Sequence, residues 1–159
     1  MSKITPFLWF DGKAEEAMAF YMSIFPDSKI IGIRRYGAAG PGPEGSVMTA
    51  NFQLLGQEFI ALNGGPVFKF TPAISFLVAC RTQAEIDELW DRLVAGGAPV
   101  QCGWLTDRYG LSWQIVPTRL DELLQDEDAE KAARAMAAML GMVKLDIAAL
   151  ERAHAGLKS

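Results

Sequence analysis

Histidine and cysteine are both scarce in this chain of 159 residues, which has one histidine and two cysteines. Cys80 and Cys102 are too few for a disulfide framework, and they lack the spacing of a metal site. A reduced, cytoplasmic protein is therefore expected. His154 is the sole imidazole, so we expect no serine–histidine or cysteine–histidine couple near a pocket.

Positive charge and long apolar runs are also lacking. The formal net charge is −4 and no basic run is present, which argues against nucleic acid or an anionic membrane as a partner. No apolar stretch approaches the ~18 residues that a membrane span needs, and residues 1–6 lack a signal-peptide core. Because 50% of the residues are apolar, the chain is expected to build a full core without metals or disulfides.

What the sequence does contain is a strand–helix–strands unit that occurs twice. The first copy opens with an apolar run at residues 3–10, which predicts a buried strand, and Asp11 or Gly12 is placed to cap the helix that follows. Strands are predicted at 29–36, 46–55 and 57–63, with a turn at Leu55-Gly56. The helix, at 12–25, has one apolar face made of Ala14, Ala17, Met18, Tyr21, Ile24 and Phe25.

The second copy opens with a nearly continuous apolar strand at 73–80. Thr82-Gln83-Ala84-Glu85 has the pattern of a capping box, which predicts the start of a helix. Short strands are expected around 99–105 and 111–116, joined by a turn at Asp107–Gly110. The predicted helix carries one apolar stripe, made of Ile86, Leu89, Trp90 and Leu93.

The tail from Thr118 predicts further helices that pack on the body of the protein or on a partner chain. One apolar stripe is formed by Ala132, Ala133, Met136, Met139 and Leu140. A second is formed by Ile147, Leu150 and Ala153.

Six segments carry a resemblance to a known family: Ile4–Phe10, Ala14–Ala17 with Phe20-Tyr21, Leu62–Pro66, Cys102–Trp104 with Asp107-Arg108, Gly110–Pro117, and Met142–Ile147. These residues resemble the vicinal oxygen chelate superfamily of glyoxalases, bleomycin-resistance proteins and dioxygenases. They are most similar to its PhnB-like branch, often named 3-demethylubiquinone-9 3-methyltransferase. The resemblance implies an α+β fold of paired βαβββ modules in a half-open barrel-like sheet, followed by C-terminal helices, and a homodimer. It divides the chain into a domain at 1–117, with halves at about 1–66 and 67–117, and a helical extension at 118–159.

The resemblance also implies where a metal ion would bind, because superfamily enzymes hold a divalent cation with about four inward side chains. The corresponding positions fall at Thr5 or Pro6, Ala61, Ala73 or Ser75, and Gln114. Methyl groups and neutral hydroxyls cannot offset the dehydration of such an ion. We therefore expect no metal and no cofactor.

A pocket for a small molecule is expected on the inward faces of the strands. If Phe10 packs on the helix, alternation places Thr5, Phe7 and Trp9 on the opposite face, and we expect Ala61 and Asn63 to join them. The second half is expected to add Ser75, Ser112 and Gln114. The predicted ligand-binding residues are Thr5, Phe7, Trp9, Asn63, Ser75, Trp104, Arg108 and Gln114.

Each of these residues also has a structural interpretation. The tryptophans at 9, 104 and 113 can fill a core, and Asn63-Gly64-Gly65 can simply end a strand. Asp107 can be a turn residue, with Arg108 in solvent or paired locally rather than gripping an anionic ligand. The Gly- and Pro-rich loop at 37–45 lacks the lysine and the following helix of a phosphate loop, so it is interpreted as a flap beside the cavity.

The leading hypothesis is a metal-independent small-molecule-binding protein, with or without chemistry of its own, whose catalytic residues are unknown. A pure sequestering protein is one form of it. The alternative is a metal-dependent lyase, isomerase or dioxygenase of the same fold. Methyl transfer, which the family name suggests, receives little support, because no glycine-rich turn with an acidic ribose partner is visible.

Overall fold

The computed structural model describes residues 3–157 and divides into two compact units. The first extends to Phe70 and the second begins at Thr71. Each unit contains one open four-stranded sheet. The mixed α+β class and the repeated βαβββ module predicted from the sequence are confirmed. In each unit a strand is followed by a helix and three further strands, and the strands have the equivalent order in both sheets.

In the first unit the first and last strands lie side by side, with β1 at the edge of the sheet. The sheet order is β1-β4-β3-β2, in which β1 and β4 run parallel and the other pairs are antiparallel. Its elements are β1 (Phe7–Phe10), α1 (Ala14–Ile24), β2 (Ser28–Arg35), β3 (Val47–Leu54) and β4 (Gln57–Asn63).

The predicted apolar face of α1 is confirmed, because all six of its residues are buried. The predicted cap is wrong. Lys13 occupies the N-cap position without a side-chain hydrogen bond, and the Ala14 N–H instead donates to Oδ1 of Asn63 at 2.8 Å. Thus the end of β4, 49 residues further along the chain, satisfies a backbone donor that the helix itself leaves open.

The second unit repeats this plan. Its sheet order is β5-β8-β7-β6, and the first and last strands of the module, β5 and β8, again run parallel. Thr82 caps α2 as predicted, accepting from the Glu85 N–H at 3.2 Å, and the predicted stripe of α2 is buried. The elements are β5 (Ser75–Cys80), α2 (Gln83–Val94), β6 (Ala98–Pro99), β7 (Trp104–Thr106) and β8 (Ser112–Pro117).

Several strand boundaries differ from the prediction. The first strand begins at Phe7 rather than residue 3, and Ile4 is 86% exposed. The fifth begins at Ser75 rather than residue 73. The single strand expected around 99–105 is two short strands, because Cys102 and Gly103 both have positive φ and turn the chain between them.

Three helices follow the second sheet: α3 (Arg119–Leu124), α4 (Ala129–Leu140) and α5 (Ile147–His154). Leu120, Leu123, Ala135, Leu145 and Leu150 form their common core. The stripe predicted for α4 is wrong in orientation. Its buried face centres on Ala135, with Ala138 and Met139 packed beside it, whereas Met136 and Leu140 are 40% and 57% exposed.

No helix among residues 3–157 is both long enough and apolar enough to span a membrane.

Candidate functional site

A cleft of about 830 Å³ opens in the first unit, at the edge of the sheet where β1 and β4 end. One side is formed by the start of α1 and the turn before it, including Asp11 and Glu15. The other side is formed by the loop at 37–45 and the beginning of β3. Trp9, Leu62, Val47 and Met48 supply much of an apolar wall, which is the usual composition of a small-molecule pocket.

Trp9 is fixed in this wall by its neighbours. Its Nε1–H donates to the Gly65 carbonyl oxygen at 2.8 Å, and the Phe68 ring meets it edge-on with 4.9 Å between the ring centroids. Gly64 lies against the ring so closely that a Cβ there would be 2.3 Å from Trp9 Cε2. The glycine after β4 is thus required for the indole to occupy its place.

Tyr36 anchors the opposite wall. Its ring is 8% exposed, and its hydroxyl donates to the Asn63 carbonyl oxygen at 2.6 Å. A Cβ at Gly42 would lie 2.4 Å from Tyr36 Cε2. The glycines of the 37–45 loop therefore let that loop pack directly on the tyrosine, and the loop lines the cleft as a wall.

Asn63 joins the two walls. Its Oδ1 accepts from the Ala14 N–H at the start of α1, and its Nδ2 donates to the Val47 carbonyl oxygen at 3.1 Å. Both ends of the amide are therefore committed to the protein. Asn63 lines the cleft and also determines how its sides are spaced.

The strand register corrects one part of the sequence prediction. Phe7 pairs with Ile60 and Trp9 with Leu62, so these four residues share the face of the sheet that points away from α1. Ala61 pairs with the buried Leu8, and Asn63 pairs with Phe10. The expectation that Ala61 and Asn63 join Phe7 and Trp9 on one face is wrong, because the two residues lie one position out of register and point to the helix side.

In the second unit the structure brings three predicted residues to one face. Ser75 pairs with Ser112, and Trp104 pairs with Gln114. Because Ser112 and Gln114 are two positions apart on β8, Ser75, Trp104 and Gln114 lie on the same face of the sheet. Gln114 Nε2 donates to Ser75 Oγ at 2.9 Å. Trp113 points to the other face and is 3% exposed, so it fills the core beneath α2.

The turn between β7 and β8 is organised by a buried carboxylate. Asp107 is 2% exposed, and its Oδ1 accepts from the N–H groups of Tyr109 and Leu111 at 2.8 and 3.1 Å. Its Oδ2 accepts from Trp113 Nε1–H at 2.9 Å. The neighbouring Arg108 is exposed and donates through Nε to the carbonyl oxygen of Ala95, just after α2, at 3.2 Å.

The predicted site residues therefore have different surroundings. Trp9 and Asn63 line the cleft of the first unit, while Thr5 and Phe7 are not among its lining residues. Ser75, Trp104 and Gln114 share a face of the second sheet, and Arg108 lies in the turn beyond it. Sequence reasoning missed the apolar wall residues Leu62, Val47 and Met48. It also missed Asp11, Glu15 and Tyr36, because nothing local distinguishes them from a turn, a helix surface and a core aromatic.

Comparison with known proteins agrees with this fold. The sequence model of the 3-demethylubiquinone-9 3-methyltransferase family matches residues 2–116. The chain belongs to this family. A PhnB protein of the same description from Bacillus cereus is 46% identical, with a TM-score of 0.67 over 74% of this chain and 100% of that one. The resemblance to PhnB-like proteins is confirmed, and the family match ends before α3.

Other solved structures share the fold at lower identity. A protein from Pseudomonas aeruginosa is 21% identical, with a TM-score of 0.61 over 74% of this chain and 98% of that one. A fosfomycin resistance protein, FosX from Listeria monocytogenes, is 16% identical, with a TM-score of 0.57 over 79% of this chain and 99% of that one. The FosX structure contains Mn(II) and 1S,2S-dihydroxypropylphosphonic acid. Among curated proteins, none matches this chain significantly.

The positions at which the family resemblance would place metal ligands can be compared with the donors that this PhnB-like chain has there. Ala61 is fully buried on the helix side of its sheet, and Ala73 is exposed ahead of β5. Neither methyl group can coordinate an ion. Thr5 and Gln114 offer only neutral oxygens, and the Gln114 amide already bonds Ser75. Within residues 3–157, no three His, Cys, Asp or Glu side chains form a group that could hold a metal. The residues at these positions do not fit a divalent cation.

Proposed function

We propose that this member of the PhnB-like family binds a small organic molecule without the help of a metal ion. The observation that carries the proposal is the cleft of about 830 Å³ in the first unit. Its volume lies within the range of small-molecule sites, and its wall combines apolar side chains with a few polar ones.

The hydrogen bonds around the cleft support a preformed site. Trp9, Tyr36 and Asn63 are each held by a hydrogen bond to backbone groups of the same unit. A cleft whose walls are fixed in this way loses little conformational entropy when a ligand enters, and this favours binding. The chemistry of the candidate positions supports the metal-independent part of the proposal, since Ala61 and Ala73 have no donor atom and Thr5, Ser75 and Gln114 have only neutral ones.

Native mass spectrometry of protein purified from its own host, without chelators, tests both parts together. We expect an organic molecule to be retained and no stoichiometric zinc, nickel, iron or manganese. One tightly held transition-metal ion per chain would contradict the metal-independent function and favour a metal-dependent lyase, isomerase or dioxygenase.

A substitution at Gln114 examines the donor positions directly. Gln114→Glu introduces a carboxylate at one position, and we expect metal affinity to stay unmeasurable by calorimetry because the other positions lack donors. Gln125→Glu, at an exposed site after α3, is the matched control. Metal binding that appears only in the Gln114 variant would show that the neighbouring positions supply ligands after all.

Methyl transfer is the competing function, because the description of the matching family names it. Calorimetric titration with S-adenosylmethionine decides between the two. Under our proposal it gives no saturable heat. Binding of that cofactor, with transfer of its methyl group to any acceptor, would support the function in the family's description.

We also propose that the protein is a homodimer and that it is located in the cytoplasm. Phe7 and Leu77 are 56% and 57% exposed on the sheet faces that α1 and α2 leave uncovered, and exposed apolar surface of this kind is typical of protein interfaces. Cys80 and Cys102 are both free thiols, which suits a reducing compartment. Light scattering coupled to gel filtration should give twice the mass of one chain; a monomer would contradict the dimer.

A further inference from the structure

We propose that the cleft of the first unit selects an organic cation, an amine or quaternary ammonium group carried on an apolar body. This inference rests on the proposed function, because it assumes that the cleft binds a small molecule. It adds the charge of that molecule, which the family description does not specify and which is opposite to that of the phosphonic acid in the FosX structure.

The neutral polar side chains of the cleft have already formed their hydrogen bonds within the protein. Four lining residues carry such side chains, and each donates to a backbone carbonyl oxygen: Trp9 to Gly65, Tyr36 to Asn63, Ser46 to Pro43, and Asn63 to Val47. An anionic ligand needs donors. These four side chains are committed to carbonyl groups of the protein, and this disfavours a phosphate or carboxylate in the cleft.

The charged side chains of the cleft are both acidic. Asp11 and Glu15 line it, and no lysine, arginine or histidine does so among the described residues. The nearest base in the sequence, Lys13, directs Nζ toward Glu16 Oε1 at 3.7 Å. The two carboxylates therefore present a local charge of about −2 to whatever enters.

The start of α1 opposes this effect, because a helix N-terminus carries about +0.5 of an elementary charge. That partial charge is smaller than the charge of the two carboxylates. The first N–H group of the helix, at Ala14, also bonds Asn63 Oδ1 rather than facing the cleft unpaired. The balance of charge thus favours a cation, while Trp9, Leu62, Val47 and Met48 suit the apolar body of the ligand.

Three one-ring compounds of nearly equal size separate charge from shape: benzylamine, which is protonated at neutral pH, benzyl alcohol and benzoate. Each is titrated into the full-length ¹⁵N-labelled chain, and the Trp9 indole N–H and the backbone amides of residues 62–65 report on the cleft. We expect saturable shifts with benzylamine, weaker binding of benzyl alcohol and none of benzoate. Raising NaCl from about 20 mM to about 300 mM should weaken benzylamine binding, because the cleft is open to solvent and its charges are screened.

Charge-neutral variants locate the effect. Glu15→Gln and Asp11→Asn should each weaken benzylamine binding by about two- to fivefold, the range for a partly exposed ion pair. Glu16→Gln is the matched control: it lies on the same helix turn, it is not a lining residue, and it should leave binding unchanged. Both target residues are exposed, so the folded spectrum should be kept.

The outcomes also separate this inference from the function on which it rests. If benzyl alcohol or benzoate binds the cleft as tightly as benzylamine, the cleft is a small-molecule site and the charge preference is wrong. If Glu16→Gln weakens binding as much as Glu15→Gln, the effect comes from overall charge and the inference fails. If none of the three compounds shifts the cleft signals, the inference also fails, while the retained ligand in native mass spectrometry decides the proposed function independently.

Discussion

The buried carboxylate of Asp107 should be one of the most sensitive positions of the second unit. Replacing it by asparagine changes almost no volume but exchanges one acceptor oxygen for an N–H₂ donor. The best arrangement keeps Oδ1 on the N–H groups of Tyr109 and Leu111 and turns the new donor toward Trp113 Nε1–H. The hydrogen bond of 2.9 Å to that indole is then lost, and two donors face each other in a buried site.

The expected loss follows from these bonds. A hydrogen bond to a charged group contributes about 1.5–3 kcal/mol, and a buried donor left unpaired costs about 1–3 kcal/mol. Relief of the desolvation of the carboxylate offsets part of this. We therefore expect Asp107→Asn to lower the free energy of unfolding by about 3 kcal/mol, which for a domain of this size lowers Tm by roughly 6–12 °C.

Urea denaturation followed by tryptophan fluorescence and circular dichroism measures the change, with the m-value checked for two-state behaviour. Asp91→Asn, on the exposed side of α2, is the control and should stay within about 0.5 kcal/mol of the parent protein. A Trp113→Phe background removes the opposing N–H, so Asp107→Asn should cost about 1–2 kcal/mol less there. An equal cost in both backgrounds, or a cost no greater than that of the control, would refute the reasoning.

Three further changes test other parts of the fold. Gly97→Ala places a Cβ 2.0 Å from a backbone oxygen of β7, so thermal unfolding should show a loss of more than about 3 kcal/mol in stability. Gly37→Ala is the control and should be close to neutral, because a Cβ there meets nothing within 4 Å and the residue has no positive φ. Burial raises the pKa of the Cys80 thiol to about 12. Iodoacetamide should therefore label Cys102 in the folded chain and reach Cys80 only in denaturant; equal labelling rates of the two thiols in the folded chain would contradict this. Backbone and side-chain hydrogen bonds hold the pKa of Asp126 below its usual value, so its stabilisation is present above about pH 4 and is lost as the pH falls through its folded-state pKa; Asp126→Asn should therefore flatten the acid limb of the stability curve.

The fold was predictable where local pattern and tertiary packing agree. In α1 and α2 apolar side chains recur every three or four positions, which places them on one face of each helix, and those faces are buried. Thr82 and Glu85 sit three positions apart, so the cap of α2 is encoded within one turn. The same order of elements occurs in both halves of the chain, and both halves have the same sheet topology.

The start of α1 could not be predicted in the same way. Its capping oxygen belongs to Asn63, which lies 49 residues further along the chain, and no local pattern encodes such a partner. The prediction of which β4 side chains face the cleft side of the sheet was wrong for a related reason. An error of one residue in register reverses every side chain of a strand, so placing Ala61 with Trp9 instead of Leu8 inverted the expected wall.

The orientation of α4 illustrates a third limit. Alanine and methionine occur on several sides of this helix, so hydrophobic spacing alone did not fix the buried one. Arg134 helps to fix it, because its guanidinium donates to the carbonyl oxygens of Ala153 and His154 at 3.1 and 2.9 Å. A long charged side chain that ties α4 to the end of α5 thus turns Ala135 inward and leaves Met136 outside.

The candidate site was only half predictable because its residues have two tasks at once. Trp9 and Asn63 were selected as ligand contacts, and both line the cleft, yet their hydrogen-bonding groups are used to hold the unit together. Under our proposal, specific recognition of the ligand comes from polar groups that form no hydrogen bond within the fold. In this cleft those groups are the carboxylates of Asp11 and Glu15, which sequence patterns treat as an ordinary turn and helix surface. Substituting Asn63 would therefore report mainly on stability, whereas Glu15 separates ligand recognition from folding.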